Sequence, residues 1–155
     1  LALAGDSAGA YLAATMALEI NRATPGAVPL HELLYPLVHV QDSLWAEEEL
    51  RNFRFLGRAA AFYIARFLGA EALPSLLDVD LSASPATIVA GGGPLDPVRA
   101  DAKAFVGKLR EAGVRVTERK YAALTHGGLN LTASSKTAIK ALQEVGALMR
   151  EELAR

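Results

Sequence analysis

Short apolar runs alternating with stretches of helical periodicity restrict the fold of this chain more than any other feature. Leu1-Ala2-Leu3-Ala4 reads as the tail of a buried strand. Leu33-Leu34-Tyr35-Pro36-Leu37-Val38 and Ala86-Thr87-Ile88-Val89-Ala90 have the continuous apolar character of strands covered on both faces, although Pro36 is unusual inside a sheet. A fourth run, Val114 to Tyr121, sets Val114 and Val116 against Arg115 and Arg119, which suits a place nearer the sheet edge. Helical spacing fills the intervals. Ala10, Ala13, Ala14, Ala17, Leu18 and Ile20 mark a helix from about Ala10 to Arg22, stopped by Pro25-Gly26. Two helices rich in aromatic residues, about Ser43 to Leu56 and Arg58 to Leu68, are followed by a turn-rich link from Leu73 to Pro85. A helix after Pro97 closes at Gly113, and a last one from about Ser135 carries Ala138, Ile139, Leu142, Val145, Leu148 and Met149 as its buried stripe. Strands separated by helices cannot pair as hairpins. The expected fold is α/β, a mostly parallel sheet of about four strands with helices on both faces.

The chain has 155 residues, one domain's worth, and 52% hydrophobic content supplies a core. Its 16 basic and 17 acidic residues are mixed along the sequence and give a net charge of -1, so neither nucleic acid nor an anionic membrane surface is an expected partner. A small molecule is. With no cysteine the chain has no thiol nucleophile or thiolate metal ligand and needs no oxidising compartment. No apolar run approaches the roughly 20 residues of a membrane span, and the start lacks a signal sequence, so a cytoplasmic product is the default reading. Self-association into a homo-oligomer is left open. The first residue is Leu1 rather than Met, inside an apolar run, which suggests a piece of something longer.

Gly5-Asp6-Ser7-Ala8-Gly9 lies directly between a buried strand and a helix. In that context a Gly-x-Ser-x-Gly sequence forms a sharp turn that lifts a serine hydroxyl above the sheet, with glycines on both sides leaving room. The helix start offers backbone N–H groups to a developing oxyanion, Ala8 N–H foremost. Ser7 needs a base, and the histidines are His31, His39 and His126. His126 falls in the loop between the last strand and the last helix, at the end of the sheet where the serine turn opens; His39 also follows a strand at that end and is the second candidate. The order serine, aspartate, histidine favours His126. Asp96 lies past the strand ending at Ala90 and precedes Pro97 at a helix start, where a capping role competes with a catalytic one. Asp101, inside the helix, and Asp78 and Asp80, in the preceding link, are its rivals.

Several linked motifs then resemble the second half of the hormone-sensitive-lipase (fold-3) family of α/β hydrolases. Gly5-Asp6-Ser7-Ala8-Gly9 is similar to its GDSAG turn, Leu34-Tyr35-Pro36 to its LIYP strand, and Asp80-Leu81-Ser82 with Pro85-Ala86 to its DLSGLPPA approach. Asp96-Pro97-Val98-Arg99-Ala100-Asp101 resembles DPLRDE, Leu109 to Val114 resembles LREAGV, and Tyr121 with His126 resembles the YxxxxH of its histidine loop. The chain departs from the pattern at Ala10-Tyr11, where the family usually continues with GGN; in Gly91-Gly92-Gly93-Pro94-Leu95, about two residues longer than the family's link; and at Gly128, often Phe in the family.

The resemblance implies a partial catalytic domain over residues 1–155, the C-terminal half of an α/β-hydrolase fold. It implies hydrolysis of carboxylic esters of short to medium acyl chain by Ser7, Asp96 and His126, with no cofactor and no metal. The family's HGGG oxyanion motif would lie upstream of Leu1, leaving Ala8 as the oxyanion donor carried here. An amidase, peptidase or formamidase of the same fold is the nearest alternative, and a non-catalytic small-molecule binder the alternative from another class. Trp45 and the aromatic residues up to Phe67 would border the acyl pocket or pack as core.

Overall fold

The computed structural model describes residues 1–39, 74–94 and 96–155. Four parallel strands, β1 (Ala2–Asp6), β2 (Leu30–Leu34), β3 (Ala86–Gly92) and β4 (Val116–Tyr121), lie side by side in chain order. The helices described are α1 (Ala8–Ala23), α2 (Arg99–Glu111) and α3 (Lys136–Leu153). Strand alternation divides the core in two. Leu33 faces Ala10, Ala14 and Leu18 of α1 and Phe105 and Leu109 of α2. Leu30, Ile88 and Ala90 point the other way, onto Ala138, Ala141 and Val145 of α3. The expected α/β architecture, with a parallel sheet covered by helices on both faces, is therefore the one observed, and β1 and β4 are its edges.

The element that departs most from the sequence reading is the second strand. It spans Leu30–Leu34 rather than 33–38, because the strand ends where Tyr35 takes a positive φ of 33° and Pro36 follows. Its start is set by buried Asn21, whose side chain both donates to Val28 O and accepts from Val28 N, each at 2.9 Å, holding the chain as it enters the sheet. The buried pair His31 and Glu32 broke the apolar pattern by which a covered strand is recognised.

The last helix also differs in detail. Ile139 and Leu142, expected in its buried stripe, are each 41% exposed, whereas Ala138, Ala141 and Val145 face the sheet. Small side chains, Ala138 and Ala141, therefore make much of the contact with the sheet. Ser135 caps this helix by accepting from Ala138 N at 3.2 Å, and the polar side chains of β4 meet it through Arg119 and Glu144, 3.0 Å apart. The two aromatic-rich helices expected between Ser43 and Leu68, with Trp45, lie outside the described residues. Among the described residues no helix is long and apolar enough to cross a membrane.

His31 belongs to the core. Its Nε2 lies 2.7 Å from Thr87 Oγ1 on the neighbouring strand, and Thr87 donates its own hydroxyl proton to Pro85 O. The imidazole must therefore donate through Nε2–H and is neutral. Burial lowers its pKa to about 4. Because the unfolded chain takes up this proton near pH 6.5 and the folded chain only near 4, stability is fully present above the unfolded value and falls as the pH drops through that window. Denaturant titrations from pH 7 to pH 4 should show a loss of up to about 3 kcal/mol from this group. His31→Gln should flatten the dependence, and an equally steep profile in that variant would exclude His31 as its source.

Candidate active site

The parallel register places the ends of β1 and β2 together, Asp6 opposite Leu34. Ser7 follows with φ 52° and ψ -117°, a conformation costly for any residue with a Cβ, and serves as the N-cap position of α1. Both of its backbone polar groups are held: Ser7 N donates to Leu34 O at 2.9 Å, and Ser7 O accepts from Ala10 N at 3.1 Å and Leu37 N at 3.2 Å. The turn is so tight that a Cβ on Gly5 would fall 2.2 Å from Gly9 O. The glycines are not equivalent, as the motif alone suggested. A Cβ on Gly9 would meet nothing nearer than Asp6 Oδ1 at 3.7 Å. Ala8 opens α1, so its N–H is among the helix's first donors, which have no carbonyl one turn back to bond.

Asp96 stands beyond β3, 4% exposed. Its Oδ2 accepts from Gly92 N and its Oδ1 from Val98 N, both at 3.1 Å, so the capping and site roles weighed for this residue share one carboxylate. The preceding glycine run has a steric purpose: at Gly93 a Cβ would come within 2.1 Å of Ala122 O, and Gly93 N donates to Leu124 O at 2.6 Å. The aspartate turn is thereby fastened to the loop that carries the histidine.

That loop leaves β4, folds through Gly127 at φ 71°, and continues into a 3₁₀ turn, Gly128–Asn130. It brings His126 Nδ1 to 3.1 Å from Asp96 Oδ1 and His126 Nε2 to 2.8 Å from Ser7 Oγ. Since Asp96 accepts throughout, Nδ1 carries the ring proton and Nε2 is left to accept from the serine hydroxyl. Ser7, His126 and Asp96, chosen from the sequence, are thus brought into one hydrogen-bonded chain. The rivals lie apart: the Ser7 hydroxyl is paired with His126 rather than His39, Asp78 and Asp80 are exposed, and Asp101 is buried in the first turn of α2.

Two neighbours of this chain were not visible in spacing alone. The Tyr35 ring meets the His126 imidazole edge to face, with centroids 5.0 Å apart and planes at 62°. Asn130 Nδ2 donates to Asp6 Oδ2 at 3.0 Å, tying the histidine loop to the serine turn across 124 positions of sequence. Tyr35 and Asp6 belong to sequence motifs, but only the fold shows what they touch. An open groove of about 460 Å³ between α2 and β4, lined by Arg99, Lys103 and Lys120 among others, touches none of Ser7, His126 and Asp96. Among the described residues no group of three or more His, Asp or Glu side chains is placed to hold a metal ion.

A nucleophile-type turn after one parallel strand, an aspartate after another and a histidine after the next define a class. Residues 1–130 match the family described as alpha/beta hydrolase fold, and the chain belongs to it. In line with the motif resemblance, its structure is similar to an esterase of the bacterial hormone-sensitive lipase family, with 20% identity and a TM-score of 0.83 over 97% of this chain and 52% of that one. It is also similar to esterase LipW from Mycobacterium marinum (22% identity, TM-score 0.82, 100% of this chain and 50% of that one). A third similar structure is the hyperthermophilic esterase from the archaeon Pyrobaculum calidifontis (24% identity, TM-score 0.85, 99% of this chain and 53% of that one). The chain spans about half the length of these structures. No curated protein matches it in sequence.

The unequal glycines give a direct test of the turn. Gly5→Ala should destabilise the protein by more than the roughly 1 to 3 kcal/mol of ordinary overpacking, because backbone rather than a flexible side chain stands in the way. Gly9→Ala should cost under about 1 kcal/mol, since helical alanine is itself favoured over glycine. Thermal melts of the two variants would contradict this geometry if they shifted alike.

Proposed function

We propose that the chain carries the catalytic triad of a serine hydrolase acting on carboxylic esters, with Ser7 as nucleophile, His126 as general base and acid, and Asp96 as the acid that orients the imidazole. The observation that carries this reading is the unbroken chain of hydrogen bonds from Asp96 through His126 to Ser7, at 3.1 and 2.8 Å. It occurs in a fold shared with several esterases. In the first half-reaction His126 Nε2 takes the Ser7 proton as Oγ bonds to the ester carbonyl, and Asp96 stabilises the imidazolium that forms. The imidazolium then protonates the departing alkoxide, leaving an acyl-serine. Water deprotonated by His126 cleaves that intermediate and returns Ser7 to its hydroxyl form.

The Ala8 N–H is one donor to the tetrahedral oxyanion, and the full-length protein supplies the others; each such donor is worth on the order of 100- to 1000-fold in rate. Residues 1–155 in this reading are part of the catalytic domain, and the substrates are esters of short to medium acyl chain. Against p-nitrophenyl esters of graded chain length, the full-length protein should be fastest at the short to medium end. Ser7→Ala should lower kcat on the order of 10⁴- to 10⁶-fold, Asp96→Asn on the order of 10⁴-fold through the wrong imidazole tautomer, and His39→Ala by less than about twofold. Wild-type turnover in Ser7→Ala would refute the assignment of nucleophile.

A further inference from the structure

Among the described residues two non-glycine positions have positive φ, Ser7 and Tyr35, and they occupy equivalent places. β1 and β2 pair in register through Asp6 and Leu34, so each of these residues is the first beyond its strand. The strain at Ser7 aims the hydroxyl. The strain at Tyr35, on a residue with a large side chain, calls for an equal reason.

Two consequences of that conformation are visible. The ring is turned onto His126 in an edge-to-face contact at 5.0 Å and is itself 1% exposed, so it is walled in and cannot swing away. The backbone is redirected so that, two residues on, Leu37 N donates to Ser7 O at 3.2 Å, while Tyr35 N stays on the sheet through Ala90 O at 2.6 Å. One residue thus touches the imidazole with its side chain and sets the course of the segment that holds the serine. The phenol is neutral, its pKa pushed up to about 12 by burial first and then by the charges of Asp6 and Asp96, so it brings no charge to the imidazole.

We propose that Tyr35 is a positioning residue of this site, whose ring fixes the plane of the His126 imidazole and whose left-handed turn braces Ser7. The proposal rests on the reading of Ser7 and His126 as nucleophile and base. It concerns the ring, so it separates the aromatic body of Tyr35 from its hydroxyl and from its backbone. Asn tolerates a positive φ and preserves the turn while removing the ring; Phe preserves the ring while removing the hydroxyl.

The experiment measures kcat and KM for a short-chain p-nitrophenyl ester in the full-length protein for Tyr35→Phe, Tyr35→Asn and Ser7→Ala, with thermal melts of each. Misplacing a reacting group by about 1 Å costs on the order of 100-fold. Tyr35→Asn should therefore lose on the order of 10- to 100-fold in kcat with KM within about threefold, and Tyr35→Phe should retain at least about half of wild-type kcat. Tyr35→Leu, which keeps apolar bulk without an aromatic face, gives the same reading should the Asn variant melt below the assay temperature. Wild-type kcat in the ring-less variants, or a loss in Tyr35→Phe as large as in Tyr35→Asn, overturns the proposal. If Ser7→Ala is itself active, it is the esterase reading that fails; if Ser7→Ala is inactive and the ring-less variants are not, only the role of Tyr35 does.

Discussion

The four strands among the described residues all run parallel, and everything else in the arrangement depends on that. In a parallel sheet each strand must be followed by a crossover, and every segment that begins a crossover leaves from the same edge. Ser7 leaves β1, Tyr35 leaves β2, Asp96 follows β3 and His126 follows β4. Residues up to 119 positions apart are thereby delivered to one rim without any of them having to reach across the sheet. Strand order β1-β2-β3-β4 also fixes their sequence in space: the aspartate and histidine turns, from adjacent strands, can be fastened to one another, as Gly93 N and Leu124 O are.

The rim is held by backbone contacts closer than side chains permit. Gly5 lies against Gly9 O inside the serine turn, and Gly93 lies against Ala122 O where the aspartate turn is locked to its neighbour. Because backbone bonds carry the positioning, the side chains that do the proposed chemistry are left with few other tasks. Asp96 is the exception. It takes two backbone N–H groups and the imidazole on two oxygens, so removing the carboxylate would leave buried donors unpaired as well as freeing His126.

The residue order made the α/β class legible because β1 and β3 carry apolar runs, a third apolar run overlaps the end of β2, and the intervening stretches keep a 3.6-residue period. Ser7 was legible because its pentapeptide sits at a strand–helix junction, and His126 and Asp96 because both follow strands at the rim. What could not be read arises where tertiary contacts override a local pattern. His31 and Glu32 look like the polar residues of a loop and are in fact buried in β2, where His31 is paired with a hydroxyl of the neighbouring strand. Ile139 and Leu142 look like core and are not, since the face of α3 turned to the sheet is the one that carries Ala138, Ala141 and Val145. The Asn130 to Asp6 bond joins two polar residues separated by nearly the whole chain, and no periodicity encodes such a pair.

The histidines show why residue type alone does not specify a base. His31 and His126 each have a hydroxyl within 2.8 Å of Nε2, and a list of polar contacts would hardly separate them. The difference lies in the direction of the protons. Thr87 spends its hydroxyl proton on Pro85 O, which forces His31 to donate through Nε2; its Nδ1 has no hydrogen-bond partner among the described residues, and burial opposes an imidazolium. At His126 the opposite polarity is imposed from behind: Asp96 draws the proton to Nδ1, so Nε2 must accept from Ser7, and the side chain is 28% exposed rather than sealed. A carboxylate on the far nitrogen therefore does more than stabilise charge. It selects the tautomer in which the near nitrogen can take a proton, and that selection turns a hydroxyl–imidazole contact of the kind found in the core into a possible nucleophile and base.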